Sequence, residues 1–381
     1  MNVIQCTIAH ALEKTKYLFS DLYWKDMEKD YHFSCQFTAD LLSMNKSDFI
    51  ITSTYQEIAG TETRFGQYES YQFYTMPGLC QVAGGINLFN PKFNVVPPGV
   101  DEVNYFCYDQ SDKRPASKTR YWQKRLFEEE STDIYGYLED PDQVPIFTMA
   151  RLDRIKNITG LVEAFGKHPE LRQHCNLIVA AGTIHLEEST DNEERAEIER
   201  MYELIGLYGL HGHIRWLPSV PKEETGEVYR IIADRRGIFV QPALFEAFGL
   251  TILEAMQCGL PTFGPIFGGP SEIIEDRESG YLMNTSKPDL IAEVLWDFMR
   301  DCQIDENCWE QVSKNSMDRV REKFTWKLYS EKLIRLTKLY GFWRYTESQE
   351  GMVKMDRYCD LLYHLCFKAR ADTIANPPAP A

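Results

Sequence analysis

The clearest pattern in the chain is a repeat of short apolar runs, each followed by a stretch in which apolar residues recur at helical spacing. "VPIFTMARLD" (144 to 153) is an apolar run ending in charge, and in the "NITGLVEAFGKHPELR" that follows, Leu161, Val162, Phe165 and Leu171 fall on one helical face. "NLIVAAG" (176 to 182) leads to an acidic helix at 191 to 208, "HIRWLP" to a helix at 225 to 234, and "GIFVQPA" (237 to 243) comes next. Runs that are apolar throughout, rather than alternating, predict strands buried on both faces. Strands alternating with helices predict an α/β fold with a doubly wound parallel sheet, which takes its ligands beyond the carboxyl ends of the strands.

Upstream, "HFSCQFTADLLSMNKSDFIITST" predicts a helix over 33 to 45 and a buried strand over 49 to 53, and "KFNVVPPGVD" predicts a strand closed by a Pro-Gly turn. These assign 1–108 to a separate unit. Residues 109–143 are dominated by charge, with a short amphipathic segment over 121 to 127, and read as a connection between domains. The second domain is then 144–335, followed by helices over 336–370 that return toward the first domain and a disordered tail over 371–381. "YGFWRY" (340 to 345) is an aromatic cluster suited to packing where segments cross.

A chain of 381 residues is long enough for two such domains. With 41 Lys plus Arg against 57 Asp plus Glu, the net charge of −16 argues against a nucleic-acid partner, so an anionic ligand needs a local basic pocket. The ten cysteines include no C-x-x-C and no zinc-type grouping, which reads as reduced thiols. No apolar run approaches the roughly 18 residues of a membrane span. The N-terminal "MNVIQCTIAHALEKTKY" lacks the pattern of a secretory signal, so the expectation is a cytoplasmic protein.

Candidate chemistry gathers at the predicted carboxyl edge. Arg151 and Lys156 follow the first strand of the second domain, where two cations suit a diphosphate, although solvated surface charges would look the same. After "FVQPA" the chain passes through "LFEAFG" into a helix beginning near Leu250 or Thr251, whose free amides and positive dipole end would meet the phosphate from the other side. Glu254, expected in the first turn, fits either a favourable dipole or a ribose hydroxyl acceptor. Glu246 has no capping role and lies in an apolar stretch beside Phe248 and Gly249, so it needs a polar partner, which a sugar would supply.

"MARLDRIKNITGLVEAFGK", "YRIIADRRGIFVQPALFEAFGLTILEAMQCGLPTF" and "GGPSEII" resemble the nucleotide-binding domain of retaining glycosyltransferases with the two-domain GT-B fold. "QCTIAHALEKTKY", "YHFSCQFTADLLSMNKSDFIITSTYQEIAG", "GQYES" and "MPGL" narrow the resemblance to the sucrose synthase family over nearly the whole chain. The resemblance implies reversible glucosyl transfer between sucrose and a nucleoside diphosphate (UDP or ADP), giving NDP-glucose and fructose with retention and with no metal or other cofactor. Arg151 and Lys156 would hold the diphosphate, with Leu250 and Thr251 completing the nucleotide site. Glu254 would bind the ribose, Glu246 with the backbone of Phe248 and Gly249 the glucosyl hydroxyls, and His32 would reach the sugar from the other domain.

Glu246 is not cast as a nucleophile, because two flanking carboxylates of the glycosidase kind are the wrong template for this fold. Against the family pattern, the chain starts partway through the first domain, so low turnover by this chain alone is expected. Polar base-contacting residues look replaced near Val220 and Thr225, and Gly85 stands where plant members commonly have His. Three readings follow: a sucrose synthase active when completed, a catalytically silent nucleotide-binding module, or a glucosyltransferase with another acceptor. A homo-oligomer is possible under each.

Overall fold

The computed structural model describes residues 3–8, 28–59, 93–128, 131–346, 356–357 and 359–375. They fall into two units, Met1–Pro98 with Lys327–Ala381, and Gly99–Trp326. Gly85, "GQYES", "MPGL" and residues 376–381 of the expected tail lie outside the described residues, while 371–375, assigned to the same disordered tail, instead close the helix Ala369–Ala375.

In the first unit, strands β1 (Cys6–Ile8), β2 (Phe49–Thr52) and β3 (Phe93–Val95) form a parallel sheet in that order. The helix Phe33–Lys46 precedes β2, close to the expected span. The helix Trp326–Thr346 packs back onto this sheet through Tyr340, which stacks on Phe49 at 4.8 Å and accepts a hydrogen bond from Asn94 at 3.0 Å. Of the aromatic cluster, Tyr340 is buried, while Phe342 and Tyr345 face solvent.

The second unit is a six-stranded, all-parallel sheet: β4 (Val144–Met149), β5 (Cys175–Ala180), β6 (Ile214–Leu217), β7 (Ile238–Val240), β8 (Thr262–Pro265) and β9 (Tyr281–Met283). Their spatial order is β6-β5-β4-β7-β8-β9. The chain starts in the centre, winds outward through β5 to β6, then crosses back to lay β7 against the other side of β4. That reversal is the topological switch point, and it opens a crevice beyond the carboxyl ends of β4 and β7. β5 is buried along its whole length, as a strand covered on both faces must be.

The structure corrects four further expectations. Residues 109–143 are no bare connection. Their helix Ala116–Phe127 buries Trp122, Leu126 and Phe127, Trp122 donates to Glu224 at 2.8 Å, and Arg114 bridges Glu227 (2.9 Å) and Asp234 (2.7 Å). Tyr135 exchanges two 2.8 Å backbone bonds with Trp216 and so extends the β6 edge. Of the charge that suggested a linker, Arg114 and Lys118 form ion pairs with the helix Lys222–Asp234.

The single helix expected after β4 is two, Ile158–Lys167 and Pro169–His174. Proline has no amide for an interior helical bond and pushes His168 out of the α region. The second unit starts at Gly99 and ends at Trp326, rather than running from 144 to 335. The fourth correction, at Glu254, belongs to the crevice.

Candidate functional site

The crevice is built by loops from both sides of the switch point. After β4, Asp153 closes a turn by accepting from the Lys156 amide (2.9 Å), and Asn157 adopts a left-handed conformation at the start of the next helix. The Asn157 side chain donates to the Pro242 and Thr285 carbonyls, each at 3.0 Å, and the Leu244 amide donates to Ile155 O at 2.8 Å. The loop after β4 is thereby sewn to the loop after β7.

At that seam Lys156 Nζ donates to Glu246 Oε2 at 2.7 Å, and Gln241 Nε2 donates to the same oxygen at 2.9 Å. The side chains of Lys156 and Glu246 are 21% and 15% exposed, so the pair is shielded but reachable. Oε1 of Glu246 has no partner among the described residues. A carboxylate fixed in this way presents an acceptor to a hydroxyl-bearing ligand without having to be ordered on binding.

Behind Glu246 stands Gly268, at φ +92°, where a Cβ would lie 1.9 Å from Glu246 O; the next amide, Gly269 N, donates to that carbonyl at 2.9 Å. Only glycine permits this approach.

The helix Leu250–Gln257 opens on Gly249 at φ 108°, with no side chain capping it. Its first amides therefore lack intrahelical acceptors and carry the positive dipole end. Phe248 is buried, while Leu250 is 48% exposed. Glu254 is the fifth residue of this helix, so it lies beyond the first turn where it was expected, and the dipole does not account for it.

Burial raises the Glu254 carboxyl from its ordinary value to about 7; the neighbouring Tyr105 phenol and Lys222 oppose the rise and Asp101 adds to it. Such a carboxyl binds its proton more tightly in the fold than in the unfolded chain. Its stabilising contribution is therefore complete below the ordinary glutamate range and is lost as pH rises through about 7.

Lys156, Glu246, Gly249 and Glu254 thus all belong to one unit, the first three on loops beyond the strands and Glu254 on the helix Leu250–Gln257. Arg151 follows β4 as expected, but it is 75% exposed and its recorded ion pair is with Asp153, at 3.0 Å. His32 belongs to the first unit, in a left-handed conformation (φ 53°) at the start of the helix Phe33–Lys46, and its side chain makes no cap bond.

Sequence reading missed Gln241, Asn157 and Gly268; Asn157 was findable as an asparagine just before an apolar helical face. Thr225, read as a base-contact position, is buried against Tyr105 at 2.8 Å. A cavity of about 420 Å³ opens at the opposite, amino-terminal edge beside Val144 and Cys175, and none of the predicted site residues lines it. No group of His, Cys, Asp and Glu among the described residues could hold a metal ion, and no described helix is long and apolar enough to cross a membrane.

A central switch-point crevice with a lysine-locked carboxylate and a glycine-opened helix, in a chain that carries a second parallel sheet, defines the GT-B glycosyltransferase class. Residues 132–315 match the model for glycosyl transferases group 1, and residues 1–127 match the model for the sucrose synthase first GT-B domain. The chain belongs to the sucrose synthase family. It is 55% identical over 376 residues to a sucrose synthase of Thermosynechococcus vestitus and 51% identical over 376 residues to sucrose synthase 2 of Pisum sativum, each alignment covering 98% of this chain and 46% of the relative. The chain thus spans about half the length of the curated relatives it matches.

Among solved structures, a sucrose-phosphate synthase from Thermosynechococcus elongatus superposes with a TM-score of 0.58 at 18% identity, covering 88% of this chain and 67% of that one. Anabaena HepE, solved in complex with UDP and glucose, superposes with a TM-score of 0.59 at 14% identity, covering 87% and 71%. Both likenesses speak to fold.

Proposed function

We propose that the switch-point crevice takes a nucleoside diphosphate sugar, and that the chain serves reversible glucosyl transfer between sucrose and a nucleoside diphosphate, with retained configuration. The observation that carries this reading is the Lys156, Glu246 and Gln241 knot in front of the helix that opens on Gly249. The amides of Leu250 and Thr251, with Lys156 and Arg151, meet the diphosphate and stabilise the charge that grows on it as the glycosidic bond breaks. Glu246, with the backbone at Phe248 and Gly249, accepts from glucosyl hydroxyls. Its lock to Lys156 suits a sugar-positioning role better than a nucleophilic one.

Glu254, once ionised, accepts from the ribose diol. The identity of 50% and above to relatives named sucrose synthase points to sucrose and fructose as the other ligands. The reading uses no metal, so chelation by EDTA should leave binding unchanged.

Calorimetry tests the crevice directly: UDP-glucose should bind saturably and be displaced by pyrophosphate, and no binding of UDP-glucose or ADP-glucose would end the reading. Formation of NDP-glucose from sucrose and UDP tests the transfer step separately.

A further inference from the structure

Gln241 helps to hold Glu246, and what holds Gln241 reaches to the far edge of the sheet. Gln241 is buried; its Oε1 accepts from the Ala243 amide at 3.0 Å while its Nε2 donates to Glu246 Oε2 at 2.9 Å. Those two bonds dictate which way the side-chain amide faces. Turned over, it would set its NH2 group against the Ala243 N–H and its oxygen against a carboxylate, so both bonds would be lost. The direction of the donor to Glu246 therefore depends on where the peptides around Ala243 stand.

Both of those peptides are clamped at both ends. The Pro242–Ala243 peptide is taken at its carbonyl by Asn157 Nδ2 (3.0 Å) and at its N–H by Gln241. The Ala243–Leu244 peptide donates from its N–H to Ile155 O (2.8 Å) and accepts at its carbonyl from the Thr285 hydroxyl (2.7 Å). Thr285 lies two residues past β9, so the chain leaving that edge strand returns over the end of β8 to reach the loop after β7. It is buried, as is Ala243, and its own carbonyl accepts from Asn157 at 3.0 Å. Without the hydroxyl, the Ala243 carbonyl is a buried acceptor with no donor, and the peptide gains by turning to find one.

We propose that Thr285 is a positioning residue for the sugar: through the peptides flanking Ala243 it fixes the Gln241 amide, and through that amide it sets Glu246 Oε1 toward the glucosyl hydroxyls. The proposal rests on the crevice reading above. Thr285 touches no ligand in it and acts only through Gln241 and Glu246. The diphosphate lies off this path, because it is met by the amides after Gly249 and by Lys156, whose loop is closed separately by Asp153. Loss of the hydroxyl should therefore weaken a nucleotide that carries glucose and spare one that does not.

The test is calorimetry of UDP-glucose and of UDP with wild type, Thr285→Val, Thr285→Ser, Gln241→Met and the Thr285→Val/Gln241→Met double variant, with thermal melts to establish folding. Thr285→Ala, which also removes the hydroxyl, replaces Thr285→Val should that variant fail to fold. Thr285→Val should weaken UDP-glucose about 3- to 10-fold, the effect of one neutral hydrogen bond, and leave UDP within about twofold. Thr285→Ser should restore the wild-type value. In the Gln241→Met background, Thr285→Val should cost nothing further, since the path is already cut. Equal losses for the two ligands, as a merely structural role would give, overturn the proposal. So do an unchanged UDP-glucose affinity in Thr285→Val, no recovery in Thr285→Ser, or losses that multiply in the double variant. Wild type that binds neither ligand would count against the crevice reading instead. Chemical denaturation of the same proteins then decides the link between Thr285 and Gln241: non-additive losses of stability support it, and additive losses overturn it.

Discussion

Lys156→Met removes the ammonium from the seam between β4 and β7 while keeping the side chain's length and apolar stem. Glu246 then retains one donor, Gln241 at 2.9 Å, in a setting where its side chain is 15% exposed. A hydrogen bond to a charged group contributes roughly 1.5–3 kcal/mol when shielded. Partial exposure places the loss here near the lower half of that range, about 2 kcal/mol. For a unit of this size that is a fall in melting temperature of roughly 4–8 °C. Chemical denaturation of wild type, Lys156→Met, Glu246→Gln and the double variant should give a coupling of about 1–2 kcal/mol between the two side chains. The same variant should bind UDP-glucose about 30- to 100-fold more weakly, because the lysine is shared with the diphosphate. A coupling near zero, with the melting temperature unchanged, would show a solvated surface pair and refute the argument that this seam is prebuilt.

Gly268→Ala should destabilise the unit by at least roughly 1–2 kcal/mol from the left-handed backbone alone, and its Cβ, 1.9 Å from Glu246 O, should also displace Glu246; a wild-type melt with wild-type affinity would count against the packing described. Arg114→Ala leaves Glu227, which is 2% exposed, without one of its two arginines, and should cost roughly 3 kcal/mol in denaturant unfolding if 109–143 is integral to the second unit. Arg151→Ala, at a 75% exposed side chain, should leave stability within about 0.5 kcal/mol but weaken UDP-glucose binding about 10- to 100-fold. Unchanged affinity there would remove Arg151 from the diphosphate site.

What could be read from the sequence depended on how locally each feature is encoded. β4, β5 and the helix face of Leu161, Val162 and Phe165 announce themselves because burial on both sides of a parallel sheet demands uninterrupted apolar runs. β8 and β9 were missed: they are four and three residues long, and "TFGP" carries a glycine and a proline that read as a turn. Charge in 109–143 looked like solvation because its partners, Glu224, Glu227 and Asp234, lie about a hundred positions on.

The carboxyl edge was legible at Lys156 and Glu246, since topology alone brings the segments after β4 and β7 together. The reason Glu246 is held, Gln241 on one side and Gly268 behind, needed coordinates. So did Glu254, whose carboxyl is lifted to about 7 by burial, which no spacing rule in the sequence reveals.

The central claim is that a sugar nucleotide binds where the strand order reverses. Hydrogen–deuterium exchange with and without UDP-glucose tests it most directly, because it reports which amides the ligand covers. The account predicts slowed exchange in peptides spanning 150 to 157 and 246 to 256, with no change around Val144, His174 and Trp309, which line the cavity at the opposite edge. Protection at that cavity, with the segment before and after Gly249 unaffected, would contradict it.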